Sequence, residues 1–295
     1  MIELRHLRYF VAVAEELNFR RAAERVHIDQ TPLSRAIRDL EDQLGVQLFV
    51  RAPRKLLLTP AGLRLLKEAR KILIRVERAQ RAVRETDARF RAPLRIGVAD
   101  GIIQPKLSEC LSTWRAQAPE IPLALTEMRA DELAMALQRE EIDAGFSFGL
   151  PENGALAQQS AWNYPIMALV PATHELASAP AISFPDLLAF PMVSCRPDRH
   201  PGLLQQMRAI VRRYPVVPTI AEEASTLAGY VTRVAANMGV GLVDAGHMAI
   251  LTRSDVIAVP LVESESVTTF VVHKRQRFAL PEPLKRFVAH ATGSN

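Results

Sequence analysis

Residues 7–62 read LRYFVAVAEELNFRRAAERVHIDQTPLSRAIRDLEDQLGVQLFVRAPRKLLLTPAG. With the residues just before it, this stretch decides the fold of the first third of the chain. Leu4, Leu7, Phe10, Val11 and Ala14 recur at helical spacing and predict an amphipathic helix over 4–16 with one buried stripe. Asn18 is placed to cap a second helix, FRRAAERVH, whose small Ala22 and Ala23 permit close packing. Asp29 offers a cap to a third helix from about Pro32 to Leu44. Pro32 falls in the first turn, where a missing N–H costs nothing, and Gly45 ends the helix. Leu33, Ala36, Ile37, Leu40 and Leu44 form the expected core face. The last two helices are joined by a tight polar turn.

The next segment predicts a two-stranded wing: Leu48 and Phe49 are apolar, Arg51, Pro53, Arg54 and Lys55 make a basic tip, and Leu56 to Leu58 are apolar again. Thr59 and Pro60 open a long helix to roughly Arg89. Leu66, Ala69, Leu73, Val76, Gln80 and Val83 trace a heptad seam along it, between flanks of Arg, Lys and Glu. A helix of about 30 residues spans about 45 Å and can hardly bury such a seam alone. Dimerisation through Leu66, Leu73, Val76 and Val83 is the expectation; the alternative is that the seam packs on its own domain.

Charge follows the same division. Residues 1–92 hold 20 Lys+Arg against 12 Asp+Glu, a net +8, whereas the remaining 203 residues hold 17 against 20, a net −3. A basic front end on a mildly acidic body suits a polyanionic partner. No apolar run approaches the roughly 20 residues a membrane span needs. The charged start MIELRHLRYF does not fit a signal peptide, so the cytoplasm is the expected compartment. The two cysteines, Cys110 and Cys195, are read as reduced. The seven histidines show no metal-ligand spacing, and no metal or cofactor is expected.

Beyond Pro93 the texture changes to short apolar strands alternating with helices: LRIGVA, a helix over 105–118, PLALTEM, a helix over 131–140, then IDAGFSF. That β-α-β-α-β series implies a parallel sheet covered by helices. A second series follows, from YPIMALVP through MVSC, GLLQQMRAIVRRY, VPTIAEEA, TLAGYVTRVAANM and GVGLVDAG to VIAVPLV and VTTFVVHK, with a terminal helix PEPLKRFVAHA.

The pattern NFxxAAERVHIxQxxLSRxIxxLExxLGxxLFxR, closed by LTPAG, resembles the LysR-type transcriptional regulator family. LRIGVA, EIDAGF, LVPATHELA and VAANMGVGLVDAG extend the likeness over the whole chain. The resemblance implies a winged helix-turn-helix over 1–58, a linker and dimerisation helix over 59–92, and an α/β effector-binding domain over 93–295. That domain resembles periplasmic binding proteins, with two Rossmann-like lobes: lobe I over 93–162 and 267–295, lobe II over 163–266. The implied protein binds promoter DNA and activates or represses transcription. It senses a small organic acid or aromatic co-inducer between the lobes, forms dimers that pair into tetramers, and contacts RNA polymerase. The family's usual Ser is Asp29 here, which adds a negative charge near the DNA face.

A recognition helix needs short or forked polar side chains near its N-terminus to enter the major groove. Gln30, Thr31, Ser34, Arg35 and Arg38 share such a leading face, with Arg35 the principal candidate for a base edge or flanking phosphate. Arg20 and Arg21 are candidate phosphate contacts, and Arg51, Arg54 and Lys55 meet the adjacent backbone or minor groove from the wing. In open α/β folds ligands sit beyond the carboxyl ends of strands. This names Asp100, Gly101, Arg129, Ser147, Phe148, Cys195 and Arg196 as effector contacts; the family resemblance adds Ser225 and Thr226 at a helix N-terminus suited to an anionic oxygen. Of Phe146 and Phe148, one is expected in the core and the other along an apolar cleft. Relatives that sense aromatic-degradation acids often carry Arg at the position of Phe148, which points away from a muconate-like diacid. Arg196 or Arg199 can pair with a carboxylate bidentately.

Two other classes fit less well. An enzyme is disfavoured: there is no GxSxG, and in GVGLVDAG Asp244 stands where a dinucleotide loop needs its last glycine. A solute-binding transport receptor would not carry the basic front end.

Overall fold

The computed structural model describes residues 2–52, 55–85, 92–99, 101–152, 154–276 and 279–293. The chain forms two compact units, Met1–Phe90 and Arg91–Asn295.

The first unit contains α1 (Leu4–Glu16), α2 (Phe19–Arg25), α3 (Gln30–Leu44), β1 (Phe49–Ala52), β2 (Lys55–Leu58) and α4 (Pro60–Glu85). Phe10, Val13, Ala22, Leu33, Ile37, Leu40 and Leu48 are its buried centre, and the Phe10 and Phe49 rings lie 5.5 Å apart. Leu4, expected in the buried stripe, is exposed in the first turn of α1, and His6 is buried instead. Ala36 and Leu44 are half-buried at the edge of the core.

Caps explain where the helices start and stop. The Asn18 Oδ1 accepts from the backbone N–H groups of Arg20 and Arg21. Asp29 occupies the N-cap position of α3 but makes no side-chain capping bond. The helix begins at Gln30, two residues before the sequence expectation, because Pro32 is tolerated anywhere in the first turn. Gly45 closes α3 at φ +68°, a left-handed conformation that suits glycine.

The antiparallel wing pairs Phe49 with Leu58 and Ala52 with Lys55. Thr59 ties its base to α4: its Oγ1 donates to the Gln47 carbonyl at 2.8 Å and accepts from the Gly62 N–H at 2.9 Å. Gly62 lies so close beneath the wing that a Cβ there would stand 2.2 Å from the Leu48 carbonyl oxygen. The first part of the α4 seam turns inward. Ala69 is fully buried in the unit's own core, and Leu66 and Leu73 pack against it half-buried. Leu66 and Leu73 thus pack in part on their own domain, where α1 runs alongside α4. Val76 is half-buried and Val83 is 71% exposed.

The second unit is α/β. In chain order it holds β3 (Leu94–Ala99), α5 (Pro105–Gln117), β4 (Leu123–Met128), α6 (Ala130–Arg139), β5 (Ala144–Ser147), β6 (Leu156–Pro171) and α7 (Phe184–Leu188). Then follow β7 (Met192–Cys195), α8 (Pro201–Val211), β8 (Ile220–Ala224), α9 (Leu227–Ala235), β9 (Gly241–Asp244), α10 (Ala245–Met248), β10 (Val256–Pro260), β11 (Ser266–Lys274) and α11 (Glu282–Ala291). β3 pairs in parallel with β4 and β5, as the β-α-β-α-β reading required.

β6 is sixteen residues long, against the eight expected from YPIMALVP, because its first half, LAQQSAWN, lacks an apolar alternation. This strand serves two sheets. Up to Pro165 it pairs antiparallel with β11, extending the order β4–β3–β5–β11–β6. From Ile166 it pairs with β9, and from Met167 with β10. The Val193 N–H donates to Val240 at 2.8 Å and brings β7 and β8 beside β9. Two lobes therefore share β6. Among the described residues no helix is long and apolar enough to cross a membrane.

Candidate functional site

The helix-turn-helix presents its polar face as the residue spacing requires. Gln30, Thr31, Arg35 and Arg38 are exposed on α3 and Ser34 is half-buried. Arg38 reaches the Ser34 hydroxyl at 3.5 Å, while Arg35 has no side-chain hydrogen bond or ion pair among the described residues. Its guanidinium is available as a fork of donors for a base edge or a phosphate. Arg20 is exposed and only loosely paired with Glu24, at 3.9 Å. Arg21 is exposed and its guanidinium is bound to Glu16, with Nε 2.9 Å from Oε2. Arg25 bridges Glu15 and Glu16, and Arg70 of α4 also holds Glu15. Burial opposes the charge on Glu15, but the hydrogen bonds from Arg70 and Arg25 outweigh it and hold the carboxyl below its ordinary range. This cluster joins α1, α2 and α4. Arg54 lies outside the described residues, as do the side chains of Arg51 and Lys55; the backbone of the latter two is in the wing strands.

The effector candidates separate into cleft, core and cap positions. Asp100 lies outside the described residues. Gly101 turns at φ +65° and sets its carbonyl 3.4 Å from His247 Nε2 of the other lobe. Arg129 pairs with Asp131 and reaches across the lobes to the Asp198 carbonyl at 3.1 Å. Arg196 is exposed and pairs with Asp198 at 2.9 Å. Ser225 offers its carbonyl to His200 Nε2 at 3.0 Å, and Thr226 caps α9 through Gly229.

Three candidates are not in an open cleft. Ser147 is fully buried, its hydroxyl engaged with the Gly149 backbone. Phe146 of β5 and Phe148, which follows the last residue of that strand, are both buried in the core, where the sequence reading set one of them along the cleft; the Phe148 ring lies 6.0 Å from that of His247. The Cys195 thiol faces a cavity under α8, and burial pushes its pKa up to about 11.

The residues the sequence reading missed form a buried polar network between the lobes. Gln104 is fully buried. Its Oε1 accepts from the Trp162 indole at 2.7 Å and from Thr269 Oγ1 at 2.9 Å, and its Nε2 donates to Asp244 Oδ1 at 2.9 Å. Asp244 in turn binds the His247 imidazole and its backbone N–H. Burial disfavours the charged Asp244, yet the His247 hydrogen bond and charge, with the Gln104 amide, hold its carboxyl below the usual range. His200, near His247, has its pKa lowered chiefly by burial. The available signal was Asp244 three residues before His247, a helix-capping spacing in DAGH.

Two family descriptions cover nearly the whole chain. Residues 4–63 match "Bacterial regulatory helix-turn-helix protein, lysR family", and residues 87–294 match "LysR substrate binding domain". An HTH-type transcriptional regulator of Escherichia coli (strain K12), YnfL, is 35% identical over 90% of this chain and 90% of its own length. The HTH-type transcriptional regulator CatR of Pseudomonas putida is 34% identical over 93% of each. The crystal structure of full-length CbnR complexed with its target DNA aligns over 100% of both chains at 26% identity, with a TM-score of 0.78.

Proposed function

Because the chain belongs to the LysR family of bacterial regulators, we propose that it reads a promoter operator through α3 and tunes transcription in response to an organic acid or aromatic effector held between its lobes. It is a transcriptional regulator with a DNA-binding and an effector-binding domain, not an enzyme. The observation that carries the DNA reading is the polar face of α3: Gln30, Thr31, Arg35 and Arg38 are exposed together, and Arg35 is unpaired among the described residues. The family's DNA complex supports it.

On this reading the chain partitions into 1–58, 59–92 and 93–295, with lobes over 93–162 plus 267–295 and over 163–266. Gly101, Arg129, Arg196, Ser225 and Thr226 mark the effector side, with His200 and His247 added from the geometry. Dimerisation uses the outer part of α4, where Val76 and Val83 lie beyond the reach of the first unit's core, and the dimers pair into tetramers that engage RNA polymerase. An effector acts by binding one lobe arrangement better than another. Because Arg129 bridges the lobes through a single backbone carbonyl, a carboxylate that takes that arginine rearranges the contact.

The test is fluorescence anisotropy of the full chain on its own upstream intergenic DNA and on a random duplex at matched salt. Sequence-specific binding gives tighter affinity for the upstream DNA at every salt concentration; equal affinities contradict it.

A further inference from the structure

Beneath α8, on the side turned away from the first lobe, the second lobe holds a cavity of about 180 Å³. Its walls are apolar: Met192 from β7, Leu203, Leu204, Met207 and Val211 from α8, and Ile220 from β8. The polar groups within these walls are already engaged. The Tyr230 hydroxyl donates to the Leu242 carbonyl and accepts from the Leu242 N–H, the Ser194 hydroxyl donates to a backbone carbonyl, and the Cys195 thiol is kept neutral by burial. Two exposed charges remain among the lining residues, Arg208 on α8 and Glu223 on β8. Among the described residues neither side chain makes an ion pair or hydrogen bond, although the charge of Arg196 lies near enough to act on Glu223.

We propose that this cavity is a second ligand site, distinct from the space between the lobes, for a free α-amino acid with a compact apolar side chain of the leucine, methionine or phenylalanine kind. Volume and charge both select this class. An apolar cavity of about 150 Å³ accepts a benzene-sized group, and drug-sized ligands need about 300 Å³ or more, so this space takes one branched aliphatic or phenyl group. A simple carboxylate would meet Glu223, and a simple amine would meet Arg208. An amino acid sets its carboxylate against Arg208 and its ammonium against Glu223 while the side chain fills the apolar space.

The site bears on the lobe contact through α8. The other face of this helix touches the first lobe: Gln206 donates to the Phe148 and Thr268 carbonyls at 2.6 and 2.8 Å and accepts from the Thr268 N–H at 2.8 Å. Gly202 lies so near that a Cβ would stand 2.3 Å from the Gly149 carbonyl oxygen. A ligand seated under Leu203, Leu204 and Met207 therefore presses on the element whose opposite side sets the lobe arrangement.

The experiment uses the full chain with ¹³C-methyl methionine. Two of its 8 methionines, Met192 and Met207, line the cavity and report on it directly. L-leucine, L-methionine and L-phenylalanine are titrated separately, with 4-methylvalerate and isoamylamine as controls that lack one charge each. Met207→Leu assigns the Met207 signal and Met207→Trp fills the cavity. At least one amino acid is expected to shift the Met192 and Met207 methyls saturably, and Met207→Trp to abolish the Met192 shift. Arg208→Ala and Glu223→Gln should each weaken binding about tenfold, the scale of one charge-assisted hydrogen bond. If Met207→Trp fails to fold, these two exposed substitutions carry the test. The proposal is overturned if no amino acid moves these methyls, if binding persists with the cavity filled, or if the single-charge controls bind as well as the amino acids. It is also overturned if the signals follow protein concentration alone, which would make a second copy the occupant. None of these readouts depends on DNA binding.

Discussion

Glu41 Oε1 accepts the backbone N–H of Leu48 at 2.7 Å, and the same oxygen accepts Phe49 at 3.2 Å. Glu41 is buried on α3, so one carboxylate ties the recognition helix to the start of the wing. Glu41→Ala leaves two buried N–H groups without an acceptor, and each such loss costs about 1–3 kcal/mol. The expected outcome is a loss of about 3 kcal/mol in urea denaturation, with Glu41→Gln losing less because its amide oxygen still accepts. Equal stability of Glu41→Ala and the parent would contradict the role given to this contact.

Gly62→Ala tests the junction between wing and α4. Alanine favours a helix over glycine by about 1 kcal/mol, so propensity alone predicts stabilisation. The steric argument predicts the opposite, because the new Cβ would lie 2.2 Å from the Leu48 carbonyl oxygen and 2.8 Å from a Leu58 methyl. A lowered Tm is expected in differential scanning calorimetry; a raised Tm would show that the wing yields without cost.

Cys110 and Cys195 both have thiol pKa values pushed up to about 11 by burial, with the charge of Glu109 adding to the effect at Cys110. The thiolate is the reactive form, so both thiols are expected to react slowly at neutral pH. Iodoacetamide labelling followed by mass spectrometry should be slow at both sites in the native chain and fast in urea. Rapid native labelling at Cys195 would bring a thiol-based sensing role back into consideration.

Acid should weaken the effector-binding unit in two stages. His200 has a folded pKa below its ordinary 6.5, so it contributes stability above pH 6.5 that is lost as the pH falls through the folded value. Asp244, held below its ordinary 3.8, contributes stability that is lost only below that pH. Thermal denaturation between pH 8 and 5 should show a falling Tm that His200→Gln flattens. A slope unchanged by His200→Gln would remove His200 as its source.

The helix-turn-helix was legible because its signals are local. Caps at Asn18 and Gly45, the 3.6-residue apolar period and the LTPAG junction each act within a few residues of the chain. The β-α-β-α-β series was legible for the same reason. Legibility fell where distant segments meet. Leu66 and Leu73 continue a heptad and also pack, half-buried, on the first unit's own core. Phe148 alternates with Phe146 in the sequence and still is core, since the segment just past β5 is packed into the same cluster. Gln104, Asp244 and His247 belong to a network whose contacts span up to 165 residues, from Gln104 to Thr269, which no local period encodes.

The central claim is that α3 reads DNA sequence, and a nuclease footprint on the chain's own upstream intergenic DNA tests it most directly. The full chain and Arg35→Ala are compared at salt-matched conditions, with random DNA as the reference. The account predicts a protected dyad with the parent chain that fades with Arg35→Ala, at protein concentrations that leave random DNA open. Protection that is uniform along the fragment, or a dyad that Arg35→Ala leaves intact, would contradict it.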